Sequence, residues 1–521
     1  MTTPIGPPNI YISESLTPLS NTSSIPGEAV EVFAAAYNQG PTVPTLVSSW
    51  SAFTQLYGNF STAPVGNYLP YAVYQFFNNG GSSCYVLRIP NSDASTATLT
   101  LKDINSPQDN VITVNAYSPG AWGNQIYVAI TTAGTTGRFN FVVYQGGTAA
   151  SNIVESFVDL SINPYDSRYV LSIVNSPISG STHVSITVTL PNNTYIAGVN
   201  DPALVSATAL TGGGDGVTAP NLTTSIPLYL GQMQGQVLNV NVPGLSNTTS
   251  LNTLIAWAEE QGNVMFIIDG PAPNFPETSA TVAANYVNMV SGGSPLTTST
   301  YATLYAPWIE ITNPASSLPG ATIWVPPGGA ILGIWNATDT KVGPWQSPAG
   351  VSYGQINLQN IETNFTTTDL TNLNAVNVNP IYNVPGYFPA VMGARTLAQG
   401  YPDRYIAVRR ELIKLEHDFT NLLQFALFEP NGTDLWSQIT YVLTNYLTQQ
   451  FQQGVFGGDT AADSFSVVCD DTVNTPATSQ AGIVNCNVAV SLLSPAEFIL
   501  INISQFQSTA STTITTSTST T

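Results

Sequence analysis

Two stretches of the chain alternate continuous apolar runs of strand length with amphipathic runs of helix length. In the first, Val30-Glu31-Val32-Phe33-Ala34-Ala35 reads as a buried strand. Trp50, Phe53, Leu56 and Tyr57 then fall at helical spacing, with Gly58 where a helix would stop. Leu69, Val73, Phe76 and Phe77 predict a second helix ending at Asn78-Asn79-Gly80-Gly81, and the run from Cys84 to Ile89 predicts a strand. The rhythm returns after residue 226: Val237 to Val242 as strand, Leu251 to Gln261 as helix, Val264 to Asp269 as strand, Thr281 to Val290 as helix, Ala302 to Ile311 as strand. Apolar strands alternating with helices predict a sheet covered on both faces.

Between these stretches the period changes. Short alternating segments at Val111 to Val114, Gln125 to Ile130, Phe139 to Tyr144, Tyr169 to Val174 and Val184 to Thr189 predict a β-rich insertion, closed by Gly212-Gly213-Gly214-Asp215-Gly216. Near the C-terminus, Leu435, Ile439, Val442, Leu443, Tyr446, Leu447 and Phe451 form one apolar stripe. They predict a helix from Asp434 to Gln453, capped by Asp434 or Thr433 and ended by Gly454. Phe465 to Cys469, Asn485 to Val490 and Glu497 to Ile503 read as strands, and Asn9 to Glu14 as a strand on an extended arm.

The expected fold class is therefore α+β or α/β and multidomain, with mixed-sheet core domains, an inserted β-rich domain and extended terminal arms. Its expected divisions are an N-terminal arm (1–25), a discontinuous α/β unit (26–90 and 216–377), the insertion (91–215), a C-terminal unit (378–507) and a Ser/Thr tail (508–521). A length of 521 residues supports more than one core.

Charge changes the picture more than hydropathy does. Only 8% of residues are charged, against about 25% in ordinary domains. Ten basic residues face thirty acidic ones, for a net charge of −20. That balance argues against a nucleic-acid partner and against anionic membrane surfaces. No run of about 18 apolar residues predicts a membrane span, and Met1 to Ser20 lacks the basic start and apolar run of a secretory leader. Cys84, Cys469 and Cys486 are sparse and lack CxxC spacing, which favours reduced thiols over a Cys469–Cys486 bridge.

Candidate chemistry is thin. Two histidines, His183 and His417, cannot build a multi-His metal centre, and no phosphate loop, zinc pattern or calcium loop occurs. Gly350-Val351-Ser352-Tyr353-Gly354 fits the nucleophile-elbow spacing, with Asp369 or Asp403 and then His417 in hydrolase order. Yet Gly343-Pro344-Trp345-Gln346-Ser347-Pro348-Ala349 precedes it, loop chemistry where a buried strand is required. The expectation is no enzyme, no catalytic or metal site and no cofactor.

A series of short blocks runs in a set order along the chain. In order they are Pro8-Asn9-Ile10-Tyr11-Ile12-Ser13-Glu14, the segment from Tyr68 to Gly81 with Cys84-Tyr85-Val86-Leu87-Arg88, and Ser118-Pro119-Gly120-Ala121-Trp122-Gly123-Asn124. Val242-Pro243-Gly244, Ile268-Asp269-Gly270-Pro271, Tyr305-Ala306-Pro307-Trp308 and Val325-Pro326-Pro327-Gly328-Gly329 follow. Gly393-Ala394-Arg395-Thr396-Leu397, Phe428-Glu429-Pro430-Asn431 and Pro495-Ala496-Glu497-Phe498-Ile499 close the series. Together these blocks resemble the contractile tail sheath family of bacteriophages and phage-tail-like injection systems.

The resemblance implies a hollow helical sheath of stacked six-subunit rings around an inner tube, built in the bacterial host cytoplasm into a virion tail or injection particle. Implied partners are copies of this chain, the inner tube protein, and baseplate and tail terminator or cap proteins, with no nucleic acid and no membrane insertion. It also implies arms that add strands to neighbouring subunits, here through Ile10, Tyr11 and Ile12 and through Phe498, Ile499, Leu500 and Ile501. The family often meets its tube through a basic helix, but the helix from Asp434 to Gln453 has no Lys or Arg. Its polar positions Asp434, Gln438, Asn445 and Gln449 are the candidate tube-facing residues. Arg395, Arg404, Arg409, Arg410 and Lys414 are candidate contacts to the tube or to neighbours. The competing reading, drawn from the Ser/Thr/Asn surface and the insertion, is a secreted or surface polymer such as an S-layer or carbohydrate-binding array.

Overall fold

A computed structural model describes residues 29–60, 67–191, 194–233, 235–400 and 404–497. Eight strands form the main sheet, in the spatial order Ala390–Val391, Val378–Tyr382, Ala302–Ala306, Val264–Asp269, Leu238–Asn241, Val30–Ala36, Cys84–Ile89 and Thr45–Val47. The six inner strands run parallel, and each edge strand is antiparallel to its neighbour. Parallel strands need crossovers on the sheet faces, which explains why these runs are apolar throughout. One face packs on the helices Leu222–Leu230, Thr248–Gln261, Ser279–Ser291 and Thr367–Ala375. Helices Trp50–Tyr57, Leu69–Asn78 and Gly328–Lys341 cover the other. Val378–Tyr382 and Ala390–Val391 belong to this sheet, so the core runs beyond residue 377.

The segment between Ile89 and Gly216 carries its own core, centred on Val114, Val128, Phe141, Leu160 and Ile186. A three-stranded and a four-stranded antiparallel sheet enclose it. Its strands Thr98–Lys102, Ile153–Leu160 and Val205–Ala209 are additional to those read from alternation.

Three elements differ from expectation. Tyr169 to Val174 is not a strand: Val170–Val174 is a helical turn that buries Val170 and Val174, four residues apart, in the insertion core. The expected strand from Ala302 to Ile311 is two strands, Ala302–Ala306 and Ile309–Thr312, in different sheets. Pro307 separates them because it has no N–H for a ladder. The long C-terminal helix is Thr433–Gln452, and its N-cap is Gly432 with no side-chain cap, so neither Asp434 nor Thr433 takes that role. Gly454 follows it at φ 77°, the left-handed position that ends helices.

Candidate functional site

The blocks that carry the family resemblance meet at buried polar junctions. At the carboxyl end of the main sheet, Asp269 is 1% exposed. Its Oδ1 accepts the Gly328 N–H at 2.8 Å, capping the Gly328–Lys341 helix, and its Oδ2 accepts from Gly244 N–H and Asn241 Nδ2, each at 3.1 Å. Trp308 Nε1 donates to Gly270 O at 3.0 Å. Four blocks distant in sequence thus close on one carboxylate and its neighbour. Burial pushes the Asp269 pKa up to about 6, against the pull of its three donors.

A second junction joins the insertion to the core. Arg88 ends a central strand and is 1% exposed. Its Nε donates to Tyr37 O at 2.7 Å; Nη1 reaches Gly40 O and Ser118 Oγ; Nη2 reaches Asn38 O and Pro119 O. All five guanidinium hydrogens are therefore used. The partners Ser118 and Pro119 open the Ser-Pro-Gly-Ala-Trp-Gly-Asn block, so that block is the insertion's mount on the sheet.

The third junction is the helix Ile406–Leu422, which carries three of the candidate contact cations. The structure turns these cations inward. Arg409 is 2% exposed, lies 4.2 Å over the Tyr301 ring and donates to its hydroxyl at 2.6 Å. Arg410 is 3% exposed, pairs with Asp339 and stacks 4.4 Å over Trp335. Lys414, 2% exposed, lies 3.4 Å from Asp418 and 3.5 Å from Glu411 and reaches Gln450 Oε1 of the next helix at 3.3 Å. These cations are internal struts that tie the core sheet to the Thr433–Gln452 helix. A face reserved for outside partners would leave them exposed; here desolvated carboxylates and aromatic rings hold them.

Arg395 is buried as well. It grips Glu497 with two bonds, Nε to Oε1 at 2.8 Å and Nη2 to Oε2. A forked guanidinium–carboxylate pair fixes direction as well as distance. It therefore fixes the direction of the chain at Glu497. Arg404 is the half-buried member, lying 5.1 Å over Tyr405. The arm strands Ile10, Tyr11, Ile12, Phe498, Ile499, Leu500 and Ile501 lie outside the described residues.

On the Thr433–Gln452 helix, Asp434, Gln438, Asn445 and Gln449 all lie on the exposed face. Opposite them Leu435, Ile439, Leu443 and Leu447 are buried. Tyr441, 70% exposed, stands amid that polar face, and helical spacing from Gln438 and Asn445 could have placed it there. Phe428 is 89% exposed at φ 66° in the turn before this helix; nothing in its sequence context signalled that conformation.

The nucleophile-elbow spacing builds no triad. Gly350–Tyr353 is a single helical turn with Ser352 exposed. Asp369 forms a capping box with Thr366, and His417 contacts Gly235 O and Asp418. Asp403 lies outside the described residues. Among the described residues no cluster of His, Cys, Asp and Glu could hold a metal ion, and no helix is long and apolar enough to cross a membrane.

A layered parallel sheet with an inserted β unit and a two-helix C-terminal unit defines the class: the chain has the fold of contractile sheath proteins. It matches the helical sheath of the anti-feeding prophage in its contracted state, with a TM-score of 0.57 and 18% identity, over 96% of this chain and 100% of that one. The PVC sheath complex of an extracellular contractile injection system, also contracted, gives 0.57 and 18% over 97% and 99%. In sequence, the chain is 32% identical over 155 residues to the tail sheath protein of Vibrio phage KVP40, a match covering 29% of this chain and 22% of that protein. No family model matches.

Proposed function

We propose that this chain is the structural subunit of a contractile sheath. It polymerises as stacked six-subunit rings around an inner tube, and contraction from a metastable extended lattice drives the tube through a target envelope. The supporting observation is the fold correspondence, which takes in 96% of this chain and the whole of a sheath subunit, insertion and C-terminal unit included. In this reading the subunit moves as a rigid body: the three buried junctions hold its units together, and the arms carry the connections. Each main-chain hydrogen bond in an added arm strand contributes about 1 kcal/mol net. One arm therefore supplies a few kcal/mol, and a whole lattice of arms forms a mesh. The energy released on contraction is stored at assembly, as in other kinetically trapped states. The polar face at Asp434, Gln438, Asn445 and Gln449, with Tyr441, is the surface assigned to the tube; a polar contact without Lys or Arg replaces a basic one.

The test is electron microscopy of the purified chain assembled with an inner tube protein and a baseplate. Hollow ridged tubes wider than the inner tube are the expected result. Failure to form a sheath with tube and baseplate present overturns the reading.

A further inference from the structure

Strands Phe465–Val468 and Asn487–Val490 form an antiparallel hairpin in which Val468 stands opposite Asn487. Cys469 and Cys486 stand one residue beyond that last ladder pair, where the same register continued would set them opposite each other. Opposed positions of such a ladder put both side chains on one face with Cβ atoms about 4.5–5.5 Å apart. A disulfide needs about 3.5–4.5 Å, a small inward shift. Both sulfurs pack into one cluster with Leu435, Trp436, Ile439 and Leu443, and they are unlinked. Just beyond them the connecting loop is fixed: Asn485 N–H donates to Asn474 Oδ1 at 2.6 Å, and Asn474 Nδ2 to Asn485 O at 2.8 Å. The loop therefore holds the two cysteines in register without a covalent bond.

Burial separates the two: Cys469 is 5% exposed, whereas Cys486 is half-buried. The Cys486 thiol hydrogen-bonds to Cys469, which lowers the Cys469 pKa and raises that of Cys486. Cys84 lies apart, 1% exposed in the main core.

We propose that Cys469 and Cys486 are a site of oxidative modification, at which a small-molecule disulfide converts the pair into a cross-strand disulfide. The Cys469 thiolate first takes the Cys486 proton; the Cys486 sulfur so freed attacks one sulfur of the oxidant, forming a mixed disulfide, and Cys469 passes that proton to the departing small thiolate. The Cys469 thiolate then attacks the Cys486 sulfur and displaces the second small thiol. The protein pair loses two protons and two electrons, and the oxidant takes them up as two thiols. The product staples the hairpin of Phe465–Val468 and Asn487–Val490, wherever thiols are not kept reduced.

The experiment exposes the reduced full-length chain to glutathione disulfide. Expected are a mass loss of two hydrogen atoms, a fall from three titratable thiols to one in denaturant, and a 469–486 cross-linked peptide. Cys469→Ser is expected to trap the glutathione adduct on Cys486, while Cys486→Ser leaves Cys469 unmodified. Three thiols remaining, a persistent glutathione adduct on the wild-type chain, or a link involving Cys84 overturns the proposal.

Discussion

Glu31 lies in a central strand of the main sheet, 1% exposed, with Asn336 Nδ2 donating to its Oε2 at 3.0 Å. Burial, reinforced by the Asp339 carboxylate, pushes its pKa up to about 8. Burial likewise raises Glu362 and Glu411 to about 7 and Asp269 to about 6. Each value stands above the unfolded one, about 4 for a carboxyl group, so folding takes up protons. This share of stability is complete below pH about 4 and is lost as pH rises through 6 to 8. The melting temperature is therefore expected to fall by several degrees between pH 5 and pH 8.5, and Glu31→Gln to flatten that fall. Calorimetry across the range checks it; an unchanged slope in the variant would show that Glu31 is not the proton acceptor. None of this was legible in the sequence, because Glu31 in an apolar run reads only as one polar interruption.

The Gly328–Lys341 helix shows where element-level reading stops. Every residue from Gly328 to Trp335 is buried, so the segment has no polar face and no helical period. Its glycines, which ordinarily argue against helix, are what let it form: a Cβ on Gly329 would lie 2.3 Å from Ala72 O, and one on Gly333 2.5 Å from Phe76 O. The Leu69–Asn78 backbone passes directly against this helix and cannot yield. Gly329→Ala is expected to cost about 1–3 kcal/mol or more through overpacking. Gly293→Ala, whose Cβ would meet nothing within 4 Å, is expected to be near neutral. Denaturant unfolding of both variants makes the comparison, and equal midpoints would refute the close approach. A helix with one-sided burial, such as Thr433–Gln452, was readable because its apolar positions repeat. The Gly328–Lys341 helix, glycine-bearing and buried all round in its first two turns, and the break set by Pro307 announce themselves only through what they touch.

For the molecule as a whole, the scarcity of charge has a sharper form than composition discloses. Arg88, Arg395, Arg409, Arg410 and Lys414 are buried, half of the ten basic residues. The spacing that gathered five cations between 395 and 414 was legible; their inward direction was not, since burial of a long cation depends on rings and carboxylates supplied from distant segments. Few outward cations remain for ion pairs between copies, and buried pairs are weakly screened. Assembled sheath is therefore expected to withstand salt up to about 1 M, where the Debye length is near 3 Å. Light scattering on salt titration measures this, and dissociation at lower salt would contradict it. The Arg88 junction has another consequence. Four of its five partners are main-chain carbonyls, the fifth being the Ser118 hydroxyl. A socket that grips peptide oxygens is indifferent to most of the side chains around it. The sequence mounted there is free to drift, and a different β unit ending in the same turn could be plugged in without redrawing the sheet that carries it.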